Sequence, residues 1–369
     1  MLPVILYSAK TLQNWNPDTP FVTGIGGSET AHIETHNHLE HLGVYPQSYA
    51  PIDEVPSSEW GETGQSWSGW SESSEVPLDK PAILINYRSY ELYDKEFHPG
   101  IKNWFIAQDC DYPWTEERLA KIDRYITLCT DHSKFTLAKY PSLRGKVFQS
   151  SNGVRAAFIK NLWADPPVRD SQQIIYASSP DRGLLFLLEH FWRIREQVPD
   201  AVLKVAYGFE NTNKIIQLMG GKSAYHEGFR DRVLSLLSQP GVKWLGRLPQ
   251  DKLYEEWFKS NIWAYPCSFA ETSCITCMDA QACGASPITN DLWALRDNVN
   301  QKFAPLLPGQ PQDDPLLRSY FLQEIISQLK KPMKLEKRIK MADAALEKFD
   351  WANIAKQFKN WIIEDSKNV

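Results

Sequence analysis

Ile262-Trp263-Ala264-Tyr265-Pro266-Cys267-Ser268-Phe269-Ala270-Glu271-Thr272-Ser273-Cys274-Ile275-Thr276-Cys277-Met278-Asp279-Ala280-Gln281-Ala282-Cys283-Gly284-Ala285-Ser286-Pro287-Ile288-Thr289 reads as strand, loop, helix and strand. The run Ile262–Tyr265 shows no polar alternation, so both of its faces are expected to be covered, as in a parallel sheet. A helix is predicted to begin near Ser273 and to stop at Gly284, before a strand over Pro287–Thr289. The same alternation extends outward in both directions. Towards the amino terminus, Ile174–Ala177, Val202–Ala206 and Val242–Leu245 read as strands with helices between them. Earlier still, Val4–Tyr7, Val44–Tyr49, Ala82–Asn86, Trp104–Ala107, Tyr125–Cys129 and Val147–Ser150 form a second series, with helices clearest at Ser28–Leu42 and Ser133–Tyr140. The class is therefore α/β, built from two doubly wound domains.

The chain has 369 residues, 43% of them hydrophobic, enough for two or three domains at roughly 150 residues each. The Pro-containing stretch Trp163–Pro167 is the expected linker. The domains are expected at 1–165 and 166–345, facing a central cleft, where open α/β sheets place ligands at the carboxyl ends of their strands. Residues 346–369 are expected to form a C-terminal helix with an apolar face (Trp351, Ile354, Phe358, Trp361, Ile362), able to pack back on the first domain. Forty Lys plus Arg against 45 Asp plus Glu gives a net charge of −5, which disfavours a nucleic-acid partner. No apolar run approaches the roughly 20 residues that span a bilayer. The start reads as a buried strand rather than a secretion leader, and six cysteines in so long a chain do not form a disulfide framework. A cytoplasmic location is the expectation.

Two stretches carry candidate chemistry. Gly24-Ile25-Gly26-Gly27-Ser28-Glu29 precedes the first long helix, with Ser28 expected as its N-cap. Glycines allow close approach of a phosphate, and free N–H groups at a helix start favour an anion, although the dinucleotide fingerprint is not met. A tight turn before a helix would look the same. In the second stretch Glu271 would stand just before a helix start, where the N–H groups of Ser273 and Cys274 could hold an anion, and Asp279 lies two turns further on. One acid can hold sugar hydroxyls and the other ribose hydroxyls, with a diphosphate between them.

Glu271…Asp279 followed by Ala282-Cys283-Gly284-Ala285-Ser286-Pro287-Ile288 resembles the E-x7-E, A-x-G-x-P-V/I signature of retaining GT-B glycosyltransferases, family 4-like (glycosyl transferases group 1). Gly26-Gly27-Ser28-Glu29 is similar to that family's glycine loop, and Ser151-Asn152-Gly153-Val154 to the P-N-G-V that closes its first domain. Tyr176–Gly183 is similar to its phosphate motif, and Trp244-Leu245-Gly246-Arg247-Leu248 to its G-x-(V/L) turn. The likeness departs from the family where Ala177 replaces the motif's Arg, Arg182 its Lys, and Asp279 the second Glu. Gln108-Asp109-Cys110-Asp111 stands where the family often has a His. Arg247 or Lys204 could make up for the missing cation.

The resemblance implies transfer of a hexose, with retained anomeric configuration, from a nucleotide-diphosphate sugar such as UDP-glucose or GDP-mannose to a sugar or other hydroxyl acceptor. It implies catalytic roles for Asp109, Glu271 and Arg182. Gly26, Gly27, Ser28, Arg247, Leu248, Thr272, Ser273, Cys274 and Asp279 are the expected donor-binding residues. Cations and preorganised N–H groups would stabilise the leaving diphosphate, so no metal or further cofactor is expected. Rival readings are a nucleotide-sugar epimerase or phosphorylase on the same fold, a nucleic-acid base glucosyltransferase, and a non-catalytic glycan-binding protein. The last would use Trp60, Trp67 and Trp70 in the Ser-, Gly- and Glu-rich stretch Ser57–Glu75, read either as a loop presenting aromatic faces or as a poorly ordered acidic insertion.

Three further clusters admit bland readings. His32 and His36 share a helix face with Glu29 and could bind zinc, or form a polar face near an anion site. Cys274-Ile275-Thr276-Cys277 could be a redox pair, or small thiols packed between helix and sheet. Lys330-Lys331-Pro332-Met333-Lys334, with Lys337, Arg338 and Lys340, could make peripheral contact with a membrane or an acidic substrate, or be a solvated helix face.

Overall fold

A computed structural model describes residues 1–9, 13–52, 60–219 and 224–367. Contacts divide the chain into two compact units. The first comprises Met1–Gly153, Glu271–Ser273 and Phe349–Val369; the second comprises Val154–Ala270 and Cys274–Lys348.

In the first unit the described residues form seven parallel strands: β1 (Val4–Ser8), β2 (Gln47–Ala50), β3 (Trp70–Glu72), β4 (Ala82–Tyr87), β5 (Ile101–Ile106), β6 (Arg124–Thr127) and β7 (Val147–Gln149), in the order β3-β2-β1-β4-β5-β6-β7. Every residue of β1 and β4 is buried, which explains their largely apolar character. Strand order reverses between β1 and β4, so the loops after those two strands border the crevice where such sheets take ligands.

Helix α1 (Gly27–His41) covers one face with an unusual buried surface that includes His32, Thr35 and His36. The ring of His32 hydrogen-bonds to Ser8 Oγ (2.8 Å) and Ser48 Oγ (3.0 Å), and His36 Nδ1 to Ser48 Oγ (2.8 Å). Trp70 packs its ring on both imidazoles. These contacts correct the reading of the tryptophan stretch: Trp67 and Trp70 are 6% and 4% exposed and belong to a core cluster with Trp15 and Ile33. Trp60 alone of the three is exposed. Ser57, Ser58 and Glu59 lie outside the described residues. Ser28 is corrected as well, since the helix starts at Gly27 with Gly26 as its cap.

Burial pushes the His36 imidazole from the usual 6.5 down to about 4, and does the same to His132 in helix α2 (Thr130–Lys139). Burial and the neighbouring His36 ring push His32 well below its usual value. Folding therefore favours the neutral rings, and the unfolded chain binds more protons at mildly acid pH. The stabilisation is fully present above about pH 6.5 and is lost as pH falls towards 4, by about 3 kcal/mol for each ring shifted that far. Urea midpoints measured from pH 7 to pH 4 are expected to fall steeply across this window. A flat profile would contradict the burial of neutral imidazoles.

The helix Trp351–Ser366 starts at Asp350, whose carboxylate accepts from Ala352 N (2.9 Å), and buries Trp351, Ile354, Phe358 and Ile362 in the first unit's core beside Leu6, Ile83 and Trp104.

In the second unit the described residues form five parallel strands: β8 (Asp170–Tyr176), β9 (Val202–Val205), β10 (Val242–Trp244), β11 (Ser260–Tyr265) and β12 (Ser286–Thr289), ordered β10-β9-β8-β11-β12. Here the order reverses between β8 and β11. Helices α3 (Leu184–Gln197), α4 (Gln250–Lys259) and α5 (Ile275–Ala282) follow β8, β10 and β11 respectively. Trp163 packs on Phe258 (ring centroids 5.0 Å apart) and donates from Nε1 to the Ala282 carbonyl (2.9 Å). Arg338, a member of the basic stretch, is buried. Its guanidinium donates to the carbonyls of Asn261 (3.0 Å), Gly284 (2.7 Å) and Met333 (2.9 Å), and burial lowers its pKa to about 9. It fastens helix Leu335–Lys348 to the sheet and takes no part in a solvated charged face. No helix among the described residues is long and apolar enough to cross a membrane.

Candidate functional site

The loop after β8 carries Arg182 and Gly183. Gly183 has φ +120°, and a Cβ there would lie 2.0 Å from the Pro266 carbonyl oxygen, so the loops after β8 and β11 touch through backbone. This contact falls at the point where the second sheet reverses its order. The Arg182 guanidinium lies over the Phe269 ring, 4.1 Å from its centroid, in a cation–π contact that fixes the plane of its donors. Tyr207 follows β9 and Arg247 follows β10. Burial pushes the Tyr207 phenol up, while Arg247, a hydrogen bond with Ser179 and Arg182 draw it back. Arg182 and Arg247 thus stand on the loops after β8 and β10, at the carboxyl ends of parallel strands.

Gly246 turns with φ +67°, and Leu248 after it is half-buried. Lys204 is not available as a substitute cation, because it is paired with Glu256 on α4. The Cys274 N–H, expected to face an anion, donates instead to Asn298 Oδ1 (2.9 Å), and the helix proper starts at Ile275. Asp279 is buried, with Tyr254 OH 3.3 Å from its Oδ1. Cys274 and Cys277 are buried free thiols, and among the described residues no cluster of His, Cys, Asp and Glu could hold a metal ion.

Glu271, Thr272 and Ser273 have their contacts in the first unit. Thr272 Oγ1 donates to the Gln108 carbonyl (2.7 Å), and Ser273 Oγ accepts from Asn152 N (3.1 Å). Glu271 is 5% exposed. Gln108, at the start of the stretch singled out because it lacks the expected His, is therefore joined to Thr272 by one hydrogen bond within the first unit.

Sequence reasoning missed Arg88. It follows β4, at the reversal point of the first sheet, with φ +63°, a conformation costly for a residue with a Cβ. Its Nε and Nη2 lie 3.0 and 2.9 Å from Asp109 Oδ2, and its Nη1 donates to Ser28 Oγ (3.1 Å). Ser28 Oγ in turn donates to Glu29 Oε2 (3.0 Å). Side-chain exposures of 41% and 40% keep Arg88 and Asp109 open to a ligand. Both arginine contacts fall on Oδ2, which leaves Oδ1 for an incoming hydroxyl. Asp109, Ser28 and the Gly26–Gly27 loop are thus assembled in one place. Arg88 and Tyr207 belong to no motif; what marks them is their position directly after parallel strands.

No family model matches the chain, and no curated protein matches it in sequence. Solved structures do match. Sucrose-phosphate synthase from Thermosynechococcus elongatus superposes with a TM-score of 0.66 at 13% identity, over 100% of each chain. The catalytic domain of starch synthase IV from Arabidopsis thaliana, bound to ADP and acarbose, gives 0.62 at 11% identity over 99% of each chain. The fold is GT-B. A point mutant of TarM from S. aureus, in complex with Fondaparinux, alpha-GlcNAc-glycerol and UDP, gives 0.55 at 11% identity over 76% of this chain, which spans 55% of that one. At such identities the likeness to GT-B structures carries the fold, and residue roles rest on the geometry of the site.

Proposed function

We propose that this GT-B chain is a retaining glycosyltransferase that moves a hexose from a nucleotide-diphosphate sugar to a hydroxyl acceptor. The observation that carries the reading is the placement of Arg182, held over the Phe269 ring beside a turn that only glycine fits, at the strand-order reversal of the second sheet. As the glycosidic bond breaks, charge builds on the leaving diphosphate, and fixed cations stabilise that charge without reorganisation. Arg182 and Arg247 fill this role. Glu271 holds the donor sugar, Asp279 the ribose, and the N–H groups of Gly26, Gly27, Thr272 and Ser273 supply further donors. Asp109, oriented by Arg88, accepts a hydrogen bond from the acceptor hydroxyl through Oδ1. The ADP bound by starch synthase IV and the UDP bound by TarM support a nucleoside diphosphate as the donor's leaving part. Glycan binding through a tryptophan loop loses its support, because Trp67 and Trp70 are buried.

Thermal unfolding in the presence of UDP, GDP, ADP and their hexose conjugates tests this. A nucleotide at 100 times its Kd stabilises the folded chain by about 2.7 kcal/mol and raises Tm by several degrees. Arg182→Ala is expected to abolish most of that rise while leaving the Tm without ligand close to that of the parent. Absence of any nucleotide-dependent rise, or an undiminished rise in Arg182→Ala, would refute the donor site.

A further inference from the structure

The loop after β5 opens into a recess of 510 Å³ in the first unit, lined by Asp111, Tyr112, Pro113, Trp114, Lys139 and Tyr140. It is widely open to solvent, so it offers one unit of a longer ligand a wall to lie against rather than an enclosing cavity. We propose that this recess is a saccharide subsite that binds a neutral sugar unit of an oligosaccharide acceptor; the acceptor role rests on the transferase reading above.

Charge decides the ligand class. Lys139 is paired with Asp111, so the walls carry one charge of each sign and no net attraction for an ion. A phosphate or carboxylate in the recess would meet Asp111, and a cation would meet Lys139. An apolar ligand would bury these groups without giving them partners, at a desolvation cost. A sugar hydroxyl both donates and accepts, so one ring can bridge the carboxylate and the ammonium together. Tyr140 adds a hydroxyl 2.7 Å from Asp111 Oδ1 and 2.9 Å from the Tyr112 carbonyl oxygen, a further polar atom of the same alternating kind.

The aromatic walls supply the second half of a sugar's surface. Trp114 is half-buried and braced edge-on by Phe105 (centroids 4.7 Å apart) and Tyr125 (5.9 Å), while its Nε1 donates to Tyr125 OH (3.3 Å). Its ring is therefore fixed before any ligand arrives, which lowers the ordering cost of binding. Pro113, exposed beside it, continues this apolar surface. The C–H face of a pyranose fits such a wall while its hydroxyls turn to Asp111 and Lys139.

The recess is also tied to Asp109. The Asp109 amide N–H donates to the Tyr112 phenol oxygen (2.9 Å), so the wall of the recess and the backbone of the candidate acceptor-side carboxylate form one braced loop. Tyr112, which lines the recess, is thus the link between a sugar held there and the acceptor-side carboxylate. The acceptor class that fits is a neutral oligosaccharide rather than a monosaccharide phosphate.

Maltotriose, mannotriose, cellotriose and chitotriose, titrated without nucleotide and followed by tryptophan fluorescence, test the proposal. At least one is expected to saturate, with inorganic phosphate failing to compete. Asp111→Asn and Lys139→Met, both changes at the rim, are expected to weaken that binding by about tenfold or more. Urea unfolding of each variant, matched to the parent, shows that the fold is retained. Failure of all four sugars to bind, or unchanged affinity in both variants, overturns the proposal. Nucleotide stabilisation without saccharide binding defeats the subsite alone. Saccharide binding without nucleotide stabilisation defeats the transferase reading and the acceptor role, and leaves only a carbohydrate-binding recess.

Discussion

Gly183→Ala is expected to destabilise the second unit by about 3 kcal/mol or more and to remove nucleotide stabilisation with it. Two effects combine. At φ +120° and ψ 0° an alanine occupies a sparsely allowed conformation, at a cost of order 1–3 kcal/mol. The added Cβ would also lie 2.0 Å from the Pro266 carbonyl oxygen and 2.9 Å from its carbon, so the backbone after β11 must move. That movement displaces Phe269, on which the Arg182 guanidinium rests. Gly43→Ala provides the control, because φ is +74° there but nothing lies within 4 Å of the added carbon. It should show the conformational cost alone, about 1–2 kcal/mol. Urea unfolding of both variants separates strain from collision, and equal losses would mean that the two loops do not touch as described.

The most legible strands were β1, β4, β6, β11 and β12, which are buried on both faces. Ala82–Asn86 and Ile262–Tyr265 read as largely apolar runs, and the buried parallel strands Ala82–Tyr87 and Ser260–Tyr265 left that trace. β3 left none. It is three residues long, lies in a stretch rich in Ser, Gly and Glu, and is marked only by Trp70, whose burial depends on His32 and His36 more than thirty residues earlier. The polar side of the site was hidden for a similar reason. Arg88 meets Asp109 across 21 residues and Ser28 across 60, and no local spacing encodes such a meeting. Ser28 has the chemistry of an N-cap, but its hydroxyl is spent on Glu29 and Arg88 while Gly26 opens the helix. Lys204 shows the converse. A lysine in the middle of a strand next to the phosphate motif looks available until α4 folds Glu256 against it. Sequence reports well on what each residue must avoid, and poorly on which distant charge it will meet.

The same limit applies to the C-terminal helix, whose apolar face was plain and whose strongest fastening was not. Asp365 accepts from Arg124 Nε at 2.8 Å and Nη2 at 2.6 Å, and from Trp104 Nε1 at 2.7 Å. The guanidinium is enclosed by rings, with the centroids of Phe148 at 4.2 Å, Trp104 at 5.5 Å and Trp361 at 5.7 Å. Asp365→Ala would leave this buried cation facing Glu364 alone, a carboxylate 61% exposed, and strand the Trp104 N–H in the core. Breaking a buried pair from one side costs about 3–5 kcal/mol, more than a surface pair could. Replacing both partners, as in Arg124→Met with Asp365→Leu, removes charge and countercharge together and should recover much of the loss. Urea unfolding of the two singles and the double gives the coupling directly, and hydrogen exchange along 351–366 shows whether the helix detaches before the sheet melts. A loss below about 1 kcal/mol in Asp365→Ala, the range of a surface pair, would mean that the face formed by Trp351, Ile354, Phe358 and Ile362 holds the helix without it. The expected result makes the ion pair the helix's principal lock. Apolar side chains hold the helix against the sheet but are tolerant of small slides along it, whereas a two-pronged carboxylate–guanidinium contact fixes distance and register together.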